Sequence, residues 1–412
     1  MIKLLGTFSR RSELPLTAKA CTDLTSRLIL GSCLVLASAT LGAVTPNPID
    51  ISMTAERWQG NGANGTLEPA GDPEFEQREG FPYGLMHVKK GSVTLTGLSF
   101  RDGTIEFDVQ PEDGIPGIRF RQRDARTAEE LYLRPSPDCA ASNDCIQYAP
   151  LTHGVFLWNL FPQYQAPAPV VENGWNHFKL VVSGRRMNVF VNHAASPTLV
   201  VGRLEGDVSE GGLQLRGPAV FANLRVIADA VEGLPPDATP DLTDQDARFL
   251  RDWSVSPTAV LPPGREPQLV SAPAGDADWH KIEPERNGLI NVSRLYGSPT
   301  DQSAAALVWL KSILISDRLQ TKQVSVGWAS EIWIFVNGRP VFAEKNRYYP
   351  ETARKTPDGR LSLDNGSFYL PLQKGRNELV VGLSNNLADG HNHYGWGMEV
   401  RLHDLEGVRA SQ

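Results

Sequence analysis

Between residues 102 and 121 the chain alternates apolar and polar positions almost without error. Ile105, Phe107 and Val109 fall on one face of an extended segment, and Glu106, Asp108 and Gln110 on the other, because successive strand side chains point to opposite sides. The period predicts a sheet packed on one side and wet on the other. The same period brings Phe178, Leu180 and Val182 up to Ser183-Gly184-Arg185 and resumes with Met187, Val189 and Val191, which predicts a hairpin over 175–192. Behind a Pro- and Gly-rich opening stretch over 44–82, further strand-like runs fall at 93–100, 104–110, 115–122, 131–134, 145–148, 156–160, 199–204, 213–216 and 219–227. Such spacing suits a β-sandwich. Residues 228–246 then combine Gly233, Pro235, Pro236 and Pro240 with five Asp and one Glu, a composition that buries little apolar area and predicts a boundary. A short acidic helix over 241–250, opening the next half, is compatible with the same cut. Past Phe249 a second β pattern shows at 307–315, 324–328, 332–336 and 379–383. Asn337-Gly338 interrupts it, and because both residues tolerate positive φ, 332–336 should pair antiparallel with 341–343.

With 412 residues the chain exceeds one ordinary core. The predicted fold class is all-β, as two β-sandwiches: a leader over 1–43, a first sandwich over 44–228, an acidic Pro-rich linker over 229–248 and a second sandwich over 249–412. Only 5 Met beside 37 Gly and 30 Pro fit short strands and turns rather than a helical bundle. A formal net charge of −7 supplies no basic stripe to neutralise phosphates, which argues against nucleic acid as a partner. Arg10, Arg11, Lys19 and Arg27 precede an apolar run over 28–39 and small residues ending at Ala39 or Ala43, the layout of an export signal. The run is shorter than the ~20 residues a membrane span needs. Export to the periplasm, cell surface or medium is therefore expected, with membrane attachment only if the segment stays uncleaved. Removing it deletes Cys21 and Cys33 and leaves Cys139 and Cys145 with five residues between them. A disulfide is predicted over zinc, since no His pair lies near to complete four ligands. Closing so short a loop contributes roughly 2 kcal/mol.

The first half resembles a concanavalin A-like lectin/glucanase sandwich of the laminin-G type, related to the three-keto-disaccharide hydrolase group. The resemblance rests on Asp102-Gly-Thr-Ile-Glu-Phe-Asp-Val109 with Gly117-Ile-Arg-Phe-Arg121, on Leu131-Tyr-Leu-Arg-Pro135, on Ile146-Gln-Tyr-Ala-Pro150, and on 174–184 with 220–225. The second half is similar to a galactose-binding-like jelly roll, through Leu307-Val-Trp-Leu-Lys311, Ile332-Trp-Ile-Phe-Val-Asn-Gly338 and 375–383. Sandwiches of the first kind host lectins, hydrolases and structural modules alike, so the resemblance implies fold more than activity.

Retaining glucanases on that fold set carboxylates at alternating strand positions, so that two face one sugar across about 5 Å. Glu106-Phe-Asp108 begins this pattern, but Gln110 or Pro111 stands where the third carboxylate belongs. The leading expectation is thus a non-catalytic protein that binds carbohydrate or a cell-surface glycan. The alternative is a glycoside or keto-glycoside hydrolase using Glu106 and Asp108. Sugar recognition calls for flat rings and forked polar groups, which Arg121, Tyr132, Arg134, Gln147, Tyr148, Trp158 and Tyr164 supply within a short span. Arg119 and Arg121 share parity, as do Tyr132 and Arg134, and a charged Arg is costly to bury unpaired and so marks a wet face. Against this, any one Trp or Tyr of a sandwich is more often core than platform. Trp396 is a candidate for stacking at the second sandwich's rim or for filling its core. His391, His393 and Asp389 are metal-capable, although their Asp-Gly-His-Asn setting reads as a solvated turn. No cofactor is expected; zinc or a similar metal through the histidines, or calcium through the carboxylates and carbonyls, are the ions this stretch suggests. No Gly-x-Ser-x-Gly elbow is present, which disfavours a serine triad.

Overall fold

A computed structural model describes residues 47–60, 71–262, 264–274, 278–297, 305–385 and 394–410. The leader with Cys21 and Cys33, and Asp389, His391 and His393, lie outside the described residues. The chain is all-β, built as two β-sandwiches, and every paired strand is antiparallel to its neighbour.

The first sandwich stacks two sheets. One runs Leu199–Val201, Arg186–Val191, Asn176–Ser183, Gly103–Pro111, Ala219–Ala228, Phe81–Val88 and Pro73–Arg78 in spatial order. The other runs Val155–Phe156, Ile146–Thr152, Thr127–Leu133, Gly117–Asp124, Gly212–Arg216, Ser92–Leu95 and Trp58–Gly60. The alternation over 103–111 does what its period predicts: Ile105, Phe107 and Val109 are at most 1% exposed, while Glu106, Asp108 and Gln110 are half-buried on the outer face. Phe107 stacks on Phe178 of the adjacent strand, their centroids 5.5 Å apart. Facing them across the core are Ile118, Phe120, Leu131, Leu133 and Leu215. Cys139 and Cys145 form the predicted disulfide.

Two expectations need correction. The period places no strand before residue 93, yet Pro73–Arg78 and Phe81–Val88 extend the first sheet. Pro82 and Gly84 inside the second of these mask its strand character, and its pairing to Ala219–Ala228 supplies the order that local propensity does not. No helix forms over 241–250. Instead the Asp241 side chain accepts from the Thr243 amide and the Asn287 amide, a local alternative to helical bonding.

The second sandwich sets one sheet, His280–Ile282, Trp253–Val255, Ala305–Ser316, Gly375–Asn385, Ser330–Val336 and Arg339–Asn346, over another, Ile290–Asn291, Gly397–Leu402, Gln320–Trp328 and Gly366–Leu372. Trp253, Trp328 and Trp396 fill the space between. The Asn337-Gly338 hairpin forms with both residues at positive φ, 49° and 81°, and pairs Ile334 with Phe342 and Trp333 with Ala343.

The sandwiches are bonded to each other. Asn159 donates through Nδ2 to the Gly395 carbonyl at 2.7 Å and accepts from its amide at 3.0 Å. The Leu361 amide donates to the Asn159 carbonyl at 2.8 Å, and Phe156 makes a bridge with Tyr394. The acidic segment is also held down. The Pro236 carbonyl accepts from the Arg185 amide, and Arg286 donates to the Thr239 and Pro240 carbonyls at 2.9 Å.

Candidate binding site

Strands Thr127–Leu133 and Ile146–Thr152 pair with Tyr132 opposite Gln147, so both side chains project from the outer face of the second sheet. Arg134, two residues beyond Tyr132, returns to that face. The Tyr132 hydroxyl donates to Gln147 Oε1 at 2.7 Å and accepts from Arg134 Nη2 at 2.7 Å. Arg134 also donates to Gln147 Oε1 through both terminal nitrogens at 3.1 Å. Gln147 Nε2 is spent on the Trp158 carbonyl at 2.7 Å. Burial pushes the Tyr132 hydroxyl up to about 12 against the pull of the neighbouring guanidiniums, so it stays protonated and keeps both roles.

Four predicted residues therefore converge: Tyr132, Arg134, Gln147 and Trp158. They do not form an open platform. Trp158 is 5% exposed, its ring lying 5.6 Å from the Arg134 guanidinium and 5.1 Å from that of Arg360. Tyr348 and Tyr394 meet it edge-on at 5.1 and 5.3 Å. Arg360 bonds across the junction to the Asp144 carboxylate at 3.0 Å. The second sandwich thus roofs part of the face that the first sandwich builds. What stays accessible is a rim in which Phe156, Tyr348, Tyr394, Arg134 and Arg216 are half-buried and Tyr349 is 47% exposed.

Next to this cluster, Glu130 is fully buried between Arg119 Nε at 2.7 Å and Arg216 Nη2 at 2.9 Å. Arg119 Nη1 also donates to Gln214 Oε1 at 2.9 Å. The cluster and its floor set the guanidiniums of Arg119, Arg134, Arg216 and Arg360 against the carboxylates of Glu130, Asp144 and Asp358. Tyr348, Arg360, Tyr394, Arg216 and Asp144 were not expected here. The adjacent aromatics Tyr348-Tyr349 in a polar stretch were the one signal that could have pointed to them.

The remaining expected residues sit elsewhere. Arg121 does not share the face of Arg119, because the strand bulges there: the register shifts and Arg121 takes φ +51°. Its guanidinium turns to Asp102 at 2.9 Å and to the Arg101 carbonyl. Tyr148 and Tyr164 point into the core, where the Tyr148 hydroxyl donates to Glu129 Oε2 and the Tyr164 hydroxyl to Glu205 Oε1, each at 2.7 Å. Burial raises both phenols and both acids, Glu129 to about 7. Trp396 is wholly buried in the second core, so it is core rather than a stacking platform. Glu106 and Asp108 face outward from the other sheet of the first sandwich. Burial pushes the Asp108 carboxyl up, but hydrogen bonds from His177 and Asn223, both at 2.7 Å, outweigh it and hold the carboxyl below its ordinary range.

Among the described residues no three His, Cys, Asp or Glu side chains gather as a metal site, and no helix is long and apolar enough to cross a membrane. No family model matches the chain, and no curated protein matches it. Solved structures similar to it include a carbohydrate binding module from Bacillus subtilis, at 18% identity and TM-score 0.28, covering 38% of this chain and 92% of that one. A galectin-like protein of unknown function from Bacillus subtilis is 14% identical at TM-score 0.29, covering 42% and 89%. A Bacillus licheniformis beta-glucanase is 9% identical at TM-score 0.27, covering 42% and 97%. At this level of likeness, function has to be argued from the residues themselves.

Proposed function

We propose that the protein binds carbohydrate without transforming it, at the rim where the two sandwiches meet. The observation that carries this is the accessible grouping of Phe156, Tyr348, Tyr349 and Tyr394 beside the guanidiniums of Arg134 and Arg216. Flat rings take the C–H face of a pyranose, and the positive edge of the rim faces its hydroxyls. Arg134 is already oriented by Tyr132 and Gln147, so little ordering entropy remains to be lost on binding. Hydrolysis by Glu106 and Asp108 is disfavoured by their place on the opposite sheet, with Asp108 engaged by His177 and Asn223. The disulfide supports export, since such bonds persist in oxidising compartments.

The test is a glycan array probed with the full chain, followed by calorimetry on the strongest binder with Tyr349→Ala and Arg134→Ala. Each substitution should weaken binding about tenfold, the loss of about 1.4 kcal/mol, while melting temperatures stay near wild type for Tyr349→Ala. A blank array, or full affinity in both variants, would overturn the assignment.

A further inference from the structure

On the other side of the Trp158–Asn159 connection, the sandwiches enclose a cleft of about 340 Å³. Leu160, Phe161 and Gln165 line it from the first sandwich, and Leu361, Ser362 and Glu399 from the second. Its size is that of an ordinary small-molecule site, and interfaces between folded units are where such sites tend to fall.

Two acceptors on opposite walls are incompletely matched: Glu399 has no counter-charge, and Gln165 Oε1 has no hydrogen-bond partner. Glu399, on Gly397–Leu402 with its core-facing neighbours Met398 and Val400, projects away from the second core and is only 7% exposed. It makes no ion pair among the described residues, and the Leu363 amide is the hydrogen-bond donor that acts on it. The charge that acts on it, Asp364, is of its own sign, and burial, with Asp364 adding to it, lifts its carboxyl to about 7. Arg401, two residues along the strand, is directed to Asp246, and Arg286 at the cleft's edge is spent on the Thr239 and Pro240 carbonyls. Gly327, opposite Glu399 in the paired strand, keeps the space clear, since a Cβ there would meet Glu399 Oε1 at 2.8 Å. On the facing wall, Gln165 Oε1 is buried without a hydrogen-bond partner. A buried acceptor without a donor is costly, and a buried carboxylate without a counter-charge more so.

We infer that this cleft is a second ligand site, for a monosaccharide-sized molecule rich in hydroxyls and carrying an ammonium group, with Glu399 holding the ammonium and Gln165 accepting from a hydroxyl. An acidic ligand would face Glu399 and Asp364 and be repelled. A neutral sugar would satisfy Gln165 and leave the carboxyl without a cation. Leu160, Phe161 and Leu361 supply apolar contact for the ligand's C–H faces. The site stands apart from the rim and does not depend on it.

The test is calorimetry of the full chain at pH 7 with glucosamine, glucose and glucuronate as probes. Glucosamine should bind at least tenfold more tightly than glucose, with glucuronate weakest. Glu399→Gln, which preserves volume, should remove the preference for the amine, and Gln165→Leu should weaken glucosamine several-fold without abolishing that preference. Tyr349→Ala, at the rim, should leave glucosamine binding unchanged, so failure here and failure of the rim assignment are read separately. Equal binding of glucosamine and glucose, no binding of glucosamine, or an undiminished amine preference in Glu399→Gln would each overturn the inference.

Discussion

Glu129 offers the sharpest physical test of how the first sandwich is built. It lies on the inward face of Thr127–Leu133, fully buried, with Oε2 receiving the Tyr148 hydroxyl and the Gly206 amide also acting on the carboxyl. Desolvation outweighs that hydrogen bond and the nearby charges of Arg121 and Arg185, lifting the carboxyl from 4.5 to about 7. The unfolded chain therefore releases this proton near 4.5, whereas the folded chain keeps it until about 7. Between those values the native state binds more protons, so stability falls as pH rises through the window and levels off above it. A rise of that size is worth about 3 kcal/mol, of which about 2.5 kcal/mol is lost between pH 5 and pH 8. Glu129→Gln keeps an acceptor for Tyr148 and does not titrate. Urea unfolding of both proteins at pH 5, 6, 7 and 8 should show the variant gaining on wild type by about 2.5 kcal/mol across the series. A stability difference that is the same at pH 5 and pH 8 would refute the reasoning, because Glu129 would then ionise alike in the folded and unfolded chains.

Three further outcomes are expected. Trp158→Ala empties the space among two guanidiniums and two tyrosines, and should cost about 3–5 kcal/mol in chemical unfolding. Replacing both Cys139 and Cys145 with Ala should cost about 2 kcal/mol, and the wild type under reductant should fall to the same stability. Gly338→Ala should cost about 1 kcal/mol: at φ +81° a side chain is strained although a Cβ there would meet nothing within 4 Å. A loss much above that would mean the turn is held by more than its backbone.

Much of the fold was legible because one face of each sheet is packed. Over 103–111 and 176–191 the period of two was clean, and the strands formed with the expected faces inward. Where strands carry charge inward or on a covered face, the signal fails. Thr127–Leu133 was expected only from 131, since Glu129-Glu130 reads as a loop, yet Arg119, Arg216 and Tyr148 hold both carboxylates inside. Phe81–Val88 was hidden for a different reason: Pro82 and Gly84 are poor strand residues that the neighbouring strand nevertheless orders.

The candidate site was legible only as far as strand parity reaches. Parity joins Tyr132 to Arg134, and antiparallel pairing brings Gln147 opposite. The same rule separates Gln147 from Tyr148, adjacent residues of one strand that cannot share a face, so the expected grouping contained its own contradiction. Arg121 defeated parity through a bulge, which inverts every side chain beyond it and cannot be placed without the partner strand. The roof over Trp158 comes from residues 348, 360 and 394, some two hundred positions away, and no periodicity encodes such a meeting. Yet the premise that an Arg marks a wet face was the weak step. Arg119, Arg121 and Arg360 are all nearly buried, each with a carboxylate beside it, and paired guanidiniums are compatible with burial. A cluster of Arg, Glu and Tyr in a sandwich sequence therefore marks either an exposed recognition face or a polar seam between packed units. Here it makes the seam, which fixes the side chains of the rim proposed as the recognition face.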